Sequence, residues 1–106
     1  MSSKEPAEAT RAALPRTADV SKGFHTDWER LGRSGRFDLK RLKEVMLLLI
    51  ANDAPLGPEW FDHALEGDWA DHRECHVGGD FLLIYTADDT QIVFVRAGTH
   101  ADLFEG

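Results

Sequence analysis

The stretch HRECHVGGDFLLIYTADDTQIVFVRA, residues 72–97, decides the fold. It divides into three short runs rich in aliphatic, aromatic and β-branched residues, 72–78, 81–87 and 90–97, which read as strands. Gly78-Gly79 and Asp88-Asp89 mark short turns between them. Parallel neighbours need a crossover of about a dozen residues, so turns this short make the three strands an antiparallel meander.

Upstream the apolar period lengthens. Ser21 is placed to cap a helix along which Phe24, Trp28 and Leu31 form one stripe, until the segment from Gly32 to Gly35 breaks it. A second helix is expected over 38–52, with Leu39, Leu42, Val45, Met46 and Leu49 inward and Arg36, Lys40 and Lys43 along another face. The run DAPLGP, residues 53–58, ends it, and a loop carries Trp60 and Trp69 to the strands. Residues 14–20, LPRTADV, read as a short edge strand, where the proline at its start costs no ladder bond. A turn over 100–104 closes the chain. Helices before strands imply an α+β fold, two N-terminal helices packed on one face of a small, mainly antiparallel twisted sheet. The other sheet face is left for something else. Residues 1–13 show no apolar period and read as a disordered tail, leaving 14–106 as one domain.

Composition bounds what such a domain does. A length of 106 residues, 42% of them hydrophobic and 29% charged, suits one soluble globular unit. The longest apolar run, residues 45–51, is seven residues, far below the roughly 20 of a membrane-spanning helix. No apolar leader stands at the N-terminus, so a cytoplasmic location is expected. The single cysteine, Cys75, cannot form an intrachain disulfide or build a cysteine-rich metal site. Net charge is −7 and unevenly placed: +3 over residues 1–50 and −10 over 51–106. Bulk attraction to nucleic acid is thereby opposed, since phosphate binding rests on clustered Lys and Arg. The one basic candidate is 22–43, where Lys22, Arg30, Arg33, Arg36, Lys40, Arg41 and Lys43 outweigh Asp27, Glu29 and Asp38. Of these, Lys22, Arg30, Arg33, Arg36, Lys40 and Lys43 are the candidate RNA- or ribosome-binding set, against the plainer reading of solvated helix faces.

Four of the five histidines, His63, His72, His76 and His100, fall late in the chain beside Asp80, Arg73 and Arg96. Metal binding is the first chemistry to test, because His72 and His76 share a strand face by alternation. The spacing supports it poorly, with neither a helical His-Glu-x-x-His nor a cysteine pair. Metal-free RNA cleavage fits the inventory better. It needs a base for the ribose 2′-OH, an acid for the 5′-oxygen and a cation for the phosphorane; imidazole serves the first two and guanidinium the third. Taken singly, each histidine reads better as a surface or packing residue; together they shift the reading toward chemistry. Cys75 alternates to the face opposite His76, which disfavours a Cys/His nucleophilic pair. Trp60 and Trp69 read as packing residues at the helix–sheet seam.

Several short motifs recur in one order: Asp62-His63-x-Leu65-x-Gly67-x-Trp69, Arg73-x-Cys75-His76, Asp80, Leu82-Leu83-Ile84-Tyr85, Arg96-x-Gly98-Thr99-His100 and Leu103-Phe104. In these the chain resembles the YafQ-type toxins of the RelE/ParE toxin–antitoxin superfamily, closely over 39–106 and loosely over 14–38. The resemblance implies a ribosome-dependent endoribonuclease, an mRNA interferase that cuts message in the ribosomal A site. It implies no cofactor and no metal, and no membrane association. A cognate DinJ- or RelB-like antitoxin, encoded adjacently, would silence it and would mediate any contact with operator DNA. Carried over position by position, the active-site set is His63, His76, Asp80, Arg96, His100 and Phe104. Proton transfer falls to His76, His100 and Asp80 with His63 assisting; Arg96 faces the scissile phosphate and Phe104 a base. His72 matches no family catalytic position and reads as a strand residue.

Two departures stand out. The family commonly has tryptophan beside the catalytic aspartate, where this chain has Phe81, expected to keep an apolar wall without the indole donor. The acidic C-terminal half opposes approach to rRNA. The rival readings are a weakened or non-catalytic homologue that acts by antitoxin binding and operator repression, and a ParE-like gyrase inhibitor.

Overall fold

The computed structural model describes residues 14–105, so the tail expected over 1–13 lies outside the described residues. Strand β1 (Thr17–Val20) leads into helices α1 (Lys22–Ser34) and α2 (Leu39–Ala51). A 3-10 turn (Pro58–Trp60), the two-residue strand β2 (His63–Ala64) and a second 3-10 turn (Gly67–Trp69) follow. Strands β3 (Arg73–Gly78), β4 (Phe81–Ala87) and β5 (Gln91–Gly98) precede a π-helical turn (Ala101–Glu105). The five strands form one sheet in the order β1-β5-β4-β3-β2, antiparallel throughout except for β1 beside β5. The expected meander is present, as is the N-terminal edge strand, which lies beside β5.

Local chemistry sets the boundaries. Ser21 caps α1, its hydroxyl accepting from the Phe24 amide at 3.0 Å and donating to the Val95 carbonyl at 2.6 Å. The helix runs through Gly32, which was expected to break it, and stops at Gly35 in the left-handed region. Asp38 caps α2 by accepting from the Arg41 amide. Arg36 precedes that cap, so it lies in the connecting loop and not along an α2 face. His72 likewise sits one residue before β3. Between β4 and β5 the Asp88 carboxylate accepts from the Thr90 and Gln91 amides and closes the turn.

The helices bury Phe24, Leu31, Leu42, Val45 and Leu49 against Cys75 and Val77 of β3, Phe81, Leu83 and Tyr85 of β4, and Ile92, Phe94 and Ala97 of β5, with Trp60 at the margin. Cys75 is fully buried, and burial pushes its thiol up to about 12, so it is inert at neutral pH. Phe81 belongs to this helix-side core, its ring 4.9 Å from that of Phe37, and only its margin lines a shallow cavity with Asp80 and Thr99. The opposite sheet face is not bare either. Leu82 and Ile84 point into it and are covered by Leu103, Leu65, Trp69 and Val95. A strand apolar at five successive positions has no polar side to show water, so the C-terminal turn and the 65–69 loop must cover it.

Candidate functional site

Strand register brings the late histidines onto the helix-free face. His63 of β2 stands opposite Glu74 of β3, Glu74 opposite Ile84 of β4, and Ile84 opposite Arg96 of β5. In the next rung His76 lies opposite Leu82, and Leu82 opposite Gly98. Paired residues share a face, and Leu82 and Ile84 define the helix-free one. With strands about 4.8 Å apart, the His76 and Gly98 backbones stand on the order of 10 Å from each other.

One cluster forms around Glu74. Its side chain is 4% exposed, and Oε1 lies 3.0 Å from His63 Nε2 and 3.6 Å from His76 Nε2. The His63 and His76 rings are 6.1 Å apart, and the exposed Phe61 ring is 5.7 Å from that of His76. Glu74 Oε2 is buried with no hydrogen-bond partner among the described residues. An orphaned carboxylate oxygen costs about 1–3 kcal/mol, a cost that a folding role alone does not explain. Ligand atoms of His63, Glu74 and His76 all lie within 4.8 Å of one another, so these three, and not His72 with His76, are the residues that could hold a metal ion. His72 instead leans on the edge of Trp69, centroids 5.1 Å apart.

A second cluster is built by the β3–β4 turn and the C-terminal turn. Asp80 Oδ1 is 2.7 Å from His100 Nδ1 and accepts from the His100 amide at 3.2 Å. This bond raises the His100 pKa above the usual imidazole range and lowers that of Asp80. Both groups are solvent-exposed, so the bond favours the protonated imidazole while leaving it accessible. Phe104 lies 5.6 Å from His100 and 5.9 Å from Trp69, edge-on to the indole. Phe104 therefore keeps an exposed ring beside His100, and Trp69 supports it from behind.

Arg96 reaches the edge of the sheet. Beyond Phe94 no strand pairs with the outer side of β5, and α1 fills the position. There Asp27 accepts from Arg96 Nε at 2.7 Å and Nη2 at 3.1 Å, which raises the guanidinium pKa. Thus His63, His76, Asp80, His100 and Phe104 gather in two adjoining clusters on or beside one face. Arg96 starts from the same face and is held at its border.

Within the basic set, Lys22, Arg33, Arg36, Lys40 and Lys43 are exposed. Arg30 is not free, being paired with Asp27 at 3.2 Å and Asp102 at 3.3 Å. Arg41 donates to the Val77 carbonyl at 2.6 Å and lies over the buried Trp60 ring. Sequence reasoning missed Glu74 and Phe61. Alternation from His76 would have placed Glu74 on the same face, whereas nothing along the chain marks Phe61, which owes its position to a left-handed backbone with φ 47°.

A family model described as "Bacterial toxin of type II toxin-antitoxin system, YafQ" matches residues 16–105. The mRNA interferase toxin YafQ of Escherichia coli K12 is 43% identical over 75 residues, 71% of this chain and 82% of that one. In the crystal structure of the E. coli DinJ-YafQ toxin–antitoxin complex, a matching chain superposes with a TM-score of 0.76 at 38% identity, covering 86% of this chain and 99% of that one. A copper-bound mutant toxin from Helicobacter pylori superposes with a TM-score of 0.75 at 37% identity, covering 84% and 99%.

Proposed function

The chain belongs to the YafQ family of bacterial type II toxin–antitoxin toxins, and from that premise we propose that it is an mRNA interferase that cuts message on the translating ribosome. The observation that carries this reading is the pairing of one exposed imidazole bound to a carboxylate, His100 on Asp80, with one buried, partly unpaired carboxylate, Glu74, across two adjoining clusters. In the reaction the 2′-oxygen attacks phosphorus and the P–O5′ bond breaks, leaving a cyclic phosphate and a 5′-hydroxyl. His100, kept protonated by Asp80, donates to the departing 5′-oxygen. His76, backed by Glu74 and His63, accepts the 2′-OH proton. Arg96 offsets phosphorane charge from the border of the face, and Phe104 stacks on a base. The His63–Glu74–His76 donors serve proton transfer in this scheme and no metal is required.

The exposed lysines and arginines of 22–43 give rRNA its contact, offsetting the acidic half. A cognate antitoxin of the DinJ type covers the toxin and carries any operator contact. The complex would reside in the cytoplasm, and no helix of the described residues is long and apolar enough to cross a membrane. Capture of Arg96 by Asp27 is the one observation favouring the rival, a weakened toxin that acts by binding. Message patterns in a translation extract decide between them. Wild type is expected to cut loaded message and spare naked message, and His100→Ala to cut neither. Identical patterns from wild type and His100→Ala would remove the enzymatic reading.

A further inference from the structure

We propose that Asp27 is a positioning residue for the cleavage reaction, holding Arg96 side-on so that the outer part of its guanidinium meets the scissile phosphate; this rests on the role assigned to Arg96 above. Asp27 occupies a place where the period of α1 calls for an apolar side chain, between Phe24 and Leu31 on the buried stripe, and is 3% exposed. Its two oxygens accept four hydrogen bonds: from Arg96 Nε at 2.7 Å and Nη2 at 3.1 Å, from Arg30 Nη2 at 3.2 Å and from the Ala97 amide at 3.0 Å. Arg96 Nη1 has no acceptor among the described residues, and the side chain remains 31% exposed. The carboxylate thus takes one edge of the fork and leaves the other for a phosphate oxygen.

Two glycines fit the same purpose. A Cβ on Gly23, in the first turn of α1, would stand 2.9 Å from Arg96 Cδ, so the arginine stem lies across the bare backbone there. A Cβ on Gly98 would stand 2.9 Å from Asp102 Oδ2 and 3.2 Å from Arg30 Nη2. Asp102 in turn accepts from the Thr99 amide and from Arg30, which ties α1 to the turn that carries His100. Buried ion pairs are often no more stabilising than apolar side chains of the same volume. Stability alone therefore gives no reason for a carboxylate in the stripe, whereas fixing a guanidinium beside a reacting phosphate does.

The test is single-turnover cleavage on message-programmed ribosomes, reading the saturating rate and the half-saturating concentration separately. Asp27→Asn keeps the volume but loses the charge and the second acceptor oxygen. It is expected to lower the saturating rate by about 10- to 100-fold, the cost of a misplaced group, with half-saturation changed less than about 2-fold. In an Arg96→Ala background the same substitution is expected to have almost no further effect, because the two act as one unit. Gly23→Ala, which favours the helix and displaces the Arg96 stem, is expected to melt no lower than wild type and yet cleave more slowly. That variant keeps the proposal testable if Asp27→Asn fails to fold. Equal losses from Asp27→Asn in both backgrounds, or wild-type cleavage by Gly23→Ala, would overturn it. Wild-type cleavage by Arg96→Ala alone would instead remove the role of Arg96, and the positioning role with it.

Discussion

The two faces of one sheet make opposite use of the same strands. Toward the helices, Cys75, Val77, Leu83, Tyr85, Ile92 and Phe94 form a closed apolar layer. On the other side, Glu74 and His76 interleave with those residues along β3 and present an unpaired buried oxygen and one imidazole, with the His63 imidazole beside them on β2. One face supplies the stability that lets the other hold an unfavourable arrangement. Alternation along a strand keeps them separate, because each residue commits to a single side.

The largest effects should separate the faces completely. Phe94→Ala is expected to cost about 3–5 kcal/mol in urea unfolding, as a large buried side chain leaves a cavity. His76→Ala, on a partly exposed residue, should leave the unfolding midpoint near wild type while cleavage of translated message falls about 100-fold or more. A drop in midpoint comparable to that of Phe94→Ala would erase the distinction. Glu74→Leu sharpens it: removing a buried carboxylate with an orphaned oxygen should keep or raise stability and abolish cleavage. Loss of both together would make Glu74 an ordinary structural residue. The smallest effect concerns pH. Asp80 holds the His100 pKa above the usual 6.5, so an acid at His100 loses its proton, and cleavage falls, only as pH rises through that raised value. Asp80→Asn should move this alkaline limb down toward 6.5, read from the pH profile of the single-turnover rate. An unmoved limb would show that another group supplies the proton.

The helix-side face was legible in the sequence because it depends on period and punctuation. Ser21 and Asp38 cap where the pattern begins, and the turns at Gly78-Gly79 and Asp88-Asp89 leave no room for anything but hairpins. The place of Cys75 followed from its parity with His76. What escaped reading depends on contacts distant along the chain. Strand β2 has two residues, too few to alternate, and exists because His63 and Ala64 find Glu74 and Arg73 across the ladder. Phe81 was expected as a site wall from the tryptophan that the family commonly has there, yet the bulge between His76 and Gly78 and its parity with Leu83 turn it toward Phe37. Arg30 looked like a free surface cation because Asp102, its partner, lies 72 residues away. Asp27 interrupted an apolar stripe for a reason that only the edge of β5 explains.

In the proposed reaction the helix-free face activates the message's own 2′-hydroxyl. The direct measurement uses a translated message carrying 2′-deoxyribose at the nucleotide 5′ to the cut, with the ends of the normal fragments determined alongside. The deoxy message should remain whole, and the ordinary message should give a downstream fragment that begins with a 5′-hydroxyl. Cutting of the deoxy message, with a 5′-phosphate on the fragment, would contradict it.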